Sequence, residues 1–202
     1  MLSTNCYLIE DEKSGEAAVI DPGAMTDELK TAVKNIGEGK LKYILLTHAH
    51  FDHILGVDEI KKLTGAQVAV HKGDVEMLSS SELSMASMLH VPAEQLPKAD
   101  VILENNDVIE FGSLKFRVMH TPGHTKGSVC YICDDVIFSG DTLFCGSCGR
   151  TDFSGGSEKE ILKSLRRLYQ LDGDYKVYPG HNEETTLDWE RASNYAMLRA
   201  MS

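Results

Sequence analysis

The sequence predicts a single α/β domain, because strand and helix patterns are mixed along the whole chain. Its 202 residues are 42% hydrophobic, which is enough to bury one large core. Apolar periodicity continues from residue 4 to the C-terminus, without a low-complexity segment or a linker. We therefore expect one domain that covers residues 1–202.

A β-hairpin and a helix are predicted at the start of the chain. Residues 4–10 and 16–21 are apolar runs on either side of the turn-forming stretch DEKSG. Thr26 then offers an N-cap to the stretch DELKTAVKNI, which has acids in its first turn, and Gly37 follows its end. These signals predict a hairpin followed by a capped helix.

The next strand, YILLT, leads directly into a histidine-rich loop. After that loop, apolar residues recur at helical spacing over residues 54–65. Asp52 and His53 are therefore expected at the N-terminus of a helix.

The second half of the chain continues with hairpins, a strand and two helices. DVIEF-GS-LKFRVMH and SVCYI-CDD-VIFSG are typical of β-hairpins. Ser157 and Glu160 predict a capping box for the helix EKEILKSLRRLYQL. YKVYPG predicts a short strand, and Thr185 is expected to cap a last amphipathic helix that runs to about Met201.

The stretch LTHAHFDHILG places His48, His50, Asp52 and His53 within six positions. A histidine buried for packing is usually solitary, so this density indicates metal ligands. Three further polar residues also follow predicted strands or strand ends, where a rigid backbone can direct side chains into a shared site. They are His124, Asp141 and His181.

These seven side chains exceed the four ligands of a structural zinc site, so they predict two divalent metal ions. Imidazole and carboxylate are good ligands for zinc, which is the first expectation, and iron or manganese are alternatives. A pair of such ions lowers the pKa of bound water and so supplies a nucleophile at neutral pH.

Four motifs occur in order along the chain: THAHFDH, TPGHTKGS, FSGDTLF and YPGH. Together they resemble the motifs of the metallo-β-lactamase superfamily. The resemblance covers the chain from residue 4 to the last helix. It implies an αβ/βα sandwich of two mixed β-sheets flanked by helices, with the site at the sheet edges.

The resemblance also implies roles for individual residues. Asp52 is the expected catalytic residue, because as a ligand and hydrogen-bond acceptor it would orient the attacking water. Independently of the resemblance, Arg150 is a candidate substrate-binding residue, since its guanidinium could contact the carboxylates of a substrate such as glutathione. The implied metal ligands form two groups and a bridge: His48, His50 and His124; Asp52, His53 and His181; and Asp141.

The stretch GSCGRTDFSGGS after Asp141 is most similar to short relatives of glyoxalase II, the hydroxyacylglutathione hydrolases. This similarity implies a hydrolase of S-acyl thioesters such as S-lactoylglutathione. The best-known lactamases carry Cys in place of Asp141, which disfavours an antibiotic substrate. Only 21 residues follow His181, whereas long glyoxalase II enzymes add a helical region that binds glutathione, so recognition of glutathione stays open.

Three alternatives remain beside the thioesterase hypothesis. A mononuclear-iron persulfide dioxygenase also carries a GCGRTDF-like stretch and needs only His48, His124 and Asp141. Lactone hydrolysis is a variant of the same chemistry. A non-catalytic metal-binding or redox-responsive protein is the third alternative, and its only support is the cluster of four cysteines, Cys130, Cys133, Cys145 and Cys148.

The composition restricts the partners and the compartment. A formal net charge of −11 argues against nucleic acid, and no apolar run approaches the ~20 residues that span a membrane. The first residues lack the pattern of a signal peptide, and five cysteines are an odd number, which favours reduced thiols. We expect a cytoplasmic protein with a small-molecule substrate and leave its oligomeric state open.

Several residues outside the seven have competing interpretations. His71 and His90 are expected to be surface or hydrogen-bonded core residues, whereas His120 could support the site from behind His124. Asp21, before Pro-Gly, is expected in a turn, with a smaller chance that it approaches the site. The pairs C-x-x-C at 130–133 and 145–148 mimic a zinc ribbon, but Cys130 and Cys133 should face opposite sides of a strand.

Overall fold

The computed structural model describes residues 3–202, which form strands β1–β13 and helices α1–α6. The strands are β1 (Tyr7–Glu10), β2 (Ala17–Ile20), β3 (Leu41–Leu45), β4 (Gln67–His71), β5 (Val101–Leu103), β6 (Val108–Phe111), β7 (Leu114–His120), β8 (Val129–Cys133), β9 (Val136–Gly140), β10 (Leu143–Phe144), β11 (Ser147–Cys148), β12 (Lys176–Pro179) and β13 (Thr185–Thr186). The helices are α1 (Asp27–Ile36), α2 (Phe51–Ile54), α3 (Val57–Thr64), α4 (Glu158–Tyr169), α5 (Leu187–Ser193) and α6 (Tyr195–Ala200). Short 3-10 helices cover Lys72–Ser79, Ala86–Leu89 and Ala93–Gln95.

The strands form two mixed sheets and one small hairpin. The first sheet has the order β1-β2-β3-β4-β5, in which β2 to β5 are parallel and β1 is antiparallel to β2. The second sheet has the order β13-β12-β9-β8-β7-β6 and is antiparallel except for the parallel pair β9-β12. The hairpin pairs β10 with β11.

The alternation of side chains along each strand separates three hydrophobic clusters. On β2, Ala17 and Val19 pack with α1 and α3, whereas Ala18 and Ile20 face the second sheet. On β8, Val129 and Tyr131 face the first sheet, while Cys130 packs with α4 and α6. Because both faces of β2 and β8 are buried, these two strands are apolar at successive positions.

The resulting order of layers is helix, sheet, sheet, helix. This is the αβ/βα sandwich with two mixed sheets and flanking helices, and it confirms the predicted fold. None of the helices within residues 3–202 is long and apolar enough to cross a membrane.

The predicted caps are confirmed at two helices, with one difference in detail. The Thr26 side chain accepts a hydrogen bond from the Leu29 N–H (3.1 Å) at the start of α1. The Ser157 side chain accepts from the Glu160 N–H (3.3 Å) at the start of α4. The Glu160 carboxylate instead pairs with Lys163, so only one half of the predicted capping box forms.

Two predicted helices are each divided in two. The helix expected over 54–65 is interrupted at Gly56, whose N–H donates to the Pro22 carbonyl (2.8 Å). A Cβ at Gly56 would lie 2.7 Å from that carbonyl oxygen, so the close approach of the Pro22 turn requires glycine and ends α2. Asp52 and His53 still lie in the first turn of a helix, as predicted.

The last helix is also divided, and its cap is one residue later than expected. Thr186 rather than Thr185 caps α5, by accepting from the Trp189 N–H (3.3 Å). Asn194 has an extended backbone (ψ 112°) and caps α6 through its own side chain. Its side-chain amide also donates to the Ser147 carbonyl (2.9 Å). The residue that interrupts the helix therefore also stabilises the hairpin β10-β11.

The first strand is shorter than the predicted 4–10. Asn5 donates its backbone N–H to the Gly180 carbonyl (2.8 Å), and its side chain donates to the Pro179 carbonyl (3.0 Å). The segment before Tyr7 therefore pairs with the end of β12 instead of extending the hairpin with β2.

Candidate metal centre

The structure brings the seven predicted ligands together at the ends of strands from both sheets. In each of the two groups, one potential ligand atom per residue, a histidine nitrogen or a carboxylate oxygen, lies within 4.8 Å of those of the other two residues. In the first group, His50 Nδ1 lies 2.9 Å from His124 Nε2. In the second, His181 Nε2 lies 3.4 Å from His53 Nε2 and 3.3 Å from Asp52 Oδ2. The first group is His48, His50 and His124, and the second is Asp52, His53 and His181.

Asp141 follows β9 and faces both groups. Its Oδ1 lies 3.5 Å from His53 Nε2, and its Oδ2 lies 3.5 Å from both His124 Nε2 and His181 Nε2. One carboxylate thus reaches one histidine of the first group and two of the second. This is the arrangement expected of a carboxylate shared by two cations.

Hydrogen bonds on the outer sides of the histidine rings orient their inner nitrogens. His124 Nδ1 donates to the Arg150 carbonyl (2.8 Å), and His181 Nδ1 donates to the Ser3 carbonyl (2.8 Å). His53 Nδ1 lies 2.9 Å from Asp21 Oδ2. A neutral ring that donates through Nδ1 has its lone pair on Nε2, and this lone pair then points into the site.

Asp21 supports ligands of both groups. The sequence favoured a turn residue at this position and gave a smaller chance that Asp21 approaches the site. Its Oδ2 accepts from Thr47 Oγ1 (2.6 Å) as well as from His53, and its Oδ1 accepts from the Thr47 N–H (2.7 Å). Thr47 Oγ1 in turn lies 3.2 Å from His48 Nδ1. The sequence signal for this role was an aspartate that directly follows a buried strand and precedes Pro-Gly.

The residues present fit metal ions. Within residues 3–202, His48 Nε2, His50 Nε2 and Asp141 Oδ1 are buried without a hydrogen-bond partner from the protein. Leaving such atoms unpaired is costly. His48 belongs to the first group, and Asp141 Oδ1 faces His53 of the second group at 3.5 Å. Nitrogen and oxygen donors in this number suit zinc or iron.

Burial and neighbouring charges give the two groups different proton affinities. Burial, together with the neighbouring histidines, lowers the pKa of His48 well below its usual value and that of His50 to about 3. Burial also lowers the pKa of His124, although Asp141 opposes the shift. These three rings are therefore neutral, which is the form that binds metal.

The second group contains more negative charge. Burial opposes a charged His53, but Asp21 and Asp141 outweigh burial and raise its pKa to about 9. The hydrogen bond to Asp52 raises the pKa of His181. Burial opposes the charge of Asp52, but the hydrogen bonds from His181 and Thr4 and the charges of His53 and His181 together outweigh burial and lower the pKa of Asp52. Metal binding at this group would therefore displace protons.

Arg150 lies next to the centre, but its guanidinium is engaged within its own segment. It forms two hydrogen bonds to Asp152 (2.7 and 2.6 Å) and stacks over the Phe153 ring at 3.8 Å. The Phe153 ring lies 6.0 Å from the His50 ring, so this segment forms one wall of the centre. Phe144 forms another, with its ring 6.0 Å from the His181 ring.

The remaining histidines lie outside the two groups. His120 donates from Nε2 to the Lys126 carbonyl (2.9 Å) and thereby supports the loop that carries His124. The buried His71 ring stacks on His120 at 3.9 Å, and its Nδ1 accepts from the Gly73 N–H (3.2 Å). His90 is exposed and has a left-handed backbone (φ 59°).

The cysteines do not form a zinc ribbon in the described chain. Cys130 lies in the cluster between the second sheet and α4, whereas Cys133 faces the first sheet. Cys145 and Cys148 belong to the hairpin β10-β11, and both are free thiols. Burial raises the pKa of both thiols, which disfavours the reactive thiolate.

Fold and site together define a metallo-hydrolase class of protein. The family model described as the metallo-β-lactamase superfamily matches residues 1–181. The chain therefore belongs to the metallo-β-lactamase superfamily, as the motifs predicted.

Two relatives illustrate the range of this similarity. An uncharacterised protein of Aquifex aeolicus is 39% identical, over 96% of this chain and 91% of that protein. A hydroxyacylglutathione hydrolase of Ectopseudomonas mendocina is 37% identical over 87% of this chain, which matches 60% of that longer enzyme.

Three solved structures share the whole fold. The B3 metallo-β-lactamase BLEG-1 has a TM-score of 0.86 and 35% identity, with 97% of this chain and 95% of that chain covered. TTHA1623 in a di-iron-bound form has a TM-score of 0.80 and 34% identity, with 96% and 95% covered. ETHE1 from Myxococcus xanthus has a TM-score of 0.74 and 30% identity, with 96% and 79% covered.

Proposed function

We propose that this protein is a dinuclear-metal hydrolase of S-acyl thioesters. The position of Asp141 carries the proposal, because its two oxygens face both groups at 3.5 Å. A mononuclear enzyme would not require the second group, in which Asp52 and His181 lie 3.3 Å apart. The similarity to TTHA1623, whose structure contains two iron ions, supports a dinuclear centre in this fold.

In this proposal, the seven side chains hold two cations, with zinc as the first choice and iron or manganese as alternatives. When bound, the pair would activate water and polarise the acyl carbonyl. Asp52 orients the nucleophile from the second group. Asp21 fixes the ring of His53 by a direct hydrogen bond and the ring of His48 through Thr47. Phe144 and Phe153 form apolar walls that shape the space above the ligands.

The leaving group favours thioesters among the possible substrates. A thiol has a reference pKa of about 8.5, so a thiolate departs without a dedicated general acid. The amine released from a β-lactam leaves poorly without a proton donor, and we assign none of the seven ligands to that role. The relative described as a hydroxyacylglutathione hydrolase supports this choice, whereas the similarity to BLEG-1 makes the β-lactam comparison necessary.

The thiol portion of the substrate should matter little. Arg150 is the basic residue predicted to contact glutathione, but its guanidinium is already paired with Asp152 at 2.6 and 2.7 Å. The net charge of −11 offers no long-range attraction to an anionic tripeptide. The acyl carbonyl and the metal ligands therefore carry most of the recognition.

The test compares five compounds at matched concentration with one protein preparation. They are S-lactoylglutathione, a shorter S-acyl thiol, a lactone, a β-lactam, and glutathione persulfide with oxygen uptake recorded. We expect cleavage of both thioesters at similar rates and no useful turnover of the β-lactam. Cleavage of the β-lactam alone would contradict the proposal, and cleavage confined to S-lactoylglutathione would show that the tripeptide is bound.

A mononuclear-iron persulfide dioxygenase is the second candidate, and the similarity to ETHE1 is compatible with it. Metal analysis of protein purified without added metal separates the two. Two metal ions per chain are expected for the hydrolase, whereas one iron per chain together with oxygen consumption on persulfide would establish the alternative.

A further inference from the structure

Asp74 is a fully buried carboxylate that has no role in the chemistry described above. It lies on the 3-10 helix Lys72–Ser79, directly after β4. Burial of an aspartate is costly unless its oxygens are hydrogen-bonded, so the partners of this carboxylate are informative.

Within residues 3–202, all the hydrogen bonds that the Asp74 carboxylate accepts come from the two loops that carry the first group of ligands. Its Oδ2 accepts from the Ala49 N–H (3.1 Å), and Ala49 lies between His48 and His50. The same oxygen accepts from Thr125 Oγ1 (2.7 Å), and Thr125 follows His124. Its Oδ1 accepts from the Gly127 N–H (2.6 Å).

The backbone is built to allow this approach. A Cβ at Gly73 would lie 2.7 Å from the Lys126 carbonyl oxygen, and a Cβ at Gly127 would lie 2.5 Å from the Asp74 nitrogen. Both positions therefore require glycine where the two segments meet. The stack of His71 on His120, at 3.9 Å, joins the same two segments.

We propose that Asp74 is the positioning residue of the three-histidine group. It ties the loop of His48 and His50 to the loop of His124 and so sets the spacing of the three rings before a metal ion binds. The inference rests on the proposed function in one respect, namely that this group binds a metal. The proposed function does not distinguish the two groups in this way, whereas Asp74 does, because within residues 3–202 no residue of the second group donates a hydrogen bond to it.

Replacement by asparagine preserves the shape of the side chain but turns one acceptor into a donor. That amide would face the N–H of Gly127 or the donors from Ala49 and Thr125, and at least one hydrogen bond would be lost. Loss of a residue that orients metal ligands typically weakens metal binding about 10- to 100-fold. We expect this loss for the first group alone.

The experiment titrates metal-free protein with Zn²⁺ by calorimetry. The wild type should show two binding events, and Asp74→Asn should weaken one of them about 10- to 100-fold and leave the other unchanged. A His181→Ala background, which retains the first group intact, identifies the weakened event. Equal affinities in wild type and Asp74→Asn would overturn the proposal, as would equal weakening of both events.

Asp11→Asn is the matched control. Asp11 is also buried, and its carboxylate accepts from Ser14 N–H (3.0 Å), Ser14 Oγ (2.7 Å) and Ser113 Oγ (2.6 Å). A merely structural effect would lower the melting temperature of both variants and leave both zinc affinities of Asp11→Asn at the wild-type value. Weakened zinc binding by Asp11→Asn to the same extent as by Asp74→Asn would overturn the proposal.

A second variant covers the case in which Asp74→Asn does not fold. Thr125→Val replaces by a methyl group the hydroxyl that donates to Asp74 and that also lies 2.7 Å from Ser128 Oγ. It should weaken the same binding event several-fold, and unchanged affinity would overturn the inference. If the wild type binds no zinc at either group, the proposed function itself fails, which is a separate outcome.

Discussion

At the residue scale, Asp52 combines two contacts that define its proposed role. Its Oδ2 lies 3.3 Å from His181 Nε2 and accepts a hydrogen bond from Thr4 Oγ1 (3.1 Å). The carboxylate is thereby held in one orientation at the start of α2. A ligand held in this way can also direct the nucleophile.

Asp52→Ala should lower the rate of thioester hydrolysis by at least about 100-fold, because the nucleophile loses its orienting acceptor. One metal ion should remain bound, since the first group does not include Asp52. Hydrolysis rates and metal content per chain check this expectation. Asp58→Ala, which removes an acid from the first turn of α3, is the control and should retain wild-type activity. Near-full activity of Asp52→Ala would refute the dinuclear mechanism.

The seven candidate ligands could be selected from the sequence because each lies in a local motif that follows a strand or a strand end. Asp21 and Asp74 could not be selected in the same way. Asp21 acts on Thr47, 26 residues away, and Asp74 acts on Gly127, 53 residues away. Their roles depend on contacts between segments that are distant in sequence, and a single acidic residue carries no periodic or spacing signal for such contacts. The position of Asp21 before Pro-Gly indicated only a smaller chance that it approaches the site.

At the element scale, the hairpin β10-β11 is held by the C-terminal helices. The buried Glu190 on α5 accepts from the Gly146 N–H (2.9 Å) and from Asn194 Nδ2 (2.7 Å). Asn194 also donates to the Ser147 carbonyl (2.9 Å). These bonds place Phe144 beside His181, so the helices support one wall of the centre.

Replacing both Cys145 and Cys148 by Ser should change the thioesterase rate by no more than roughly a few-fold, since neither thiol has a place in a hydrolysis in which activated water is the nucleophile. The hairpin retains its backbone bonds to Glu190 and Asn194 in this variant. Rates measured with and without a mild oxidant check the expectation. Activity that responds to oxidant only in the wild type would favour a redox role for the pair.

Helix existence was predictable from apolar spacing, but the breaks within helices were not. The apolar pattern continues across Gly56 and across Asn194, and both interruptions come from distant partners. Gly56 meets the carbonyl of Pro22, and Asn194 bonds to the hairpin at Ser147. Local periodicity predicts which face of a helix is buried. It does not predict where a distant carbonyl or hairpin will contact the helix and interrupt it.

At the scale of the whole molecule, the centre joins the two halves of the chain. His48 to His53 follow the first sheet, whereas His124, Asp141 and His181 follow strands of the second. Each group in our proposal contains ligands from both halves. Metal binding should therefore stabilise the contact between the sheets and not only the loops.

Zinc should raise the melting temperature of the metal-free protein. At a free concentration 100 times Kd, one site adds about 2.7 kcal/mol to the free energy of unfolding. For a chain of this length this corresponds to roughly 5–10 °C. Differential scanning calorimetry with and without zinc measures the shift. His181→Ala should show a smaller shift than the wild type, and an unchanged melting temperature in the wild type would contradict the proposed centre.

The contacts of Ser3 and Thr4 have a practical consequence for protein engineering. Ser3 accepts from His181 and Thr4 donates to Asp52, so any peptide fused ahead of Ser3 begins beside the second group of ligands. A polyhistidine purification tag at that end would bring competing imidazoles to the mouth of the centre and could distort measured metal stoichiometry. Expression vectors for this protein should therefore carry the tag at the other end or include a protease site for its removal.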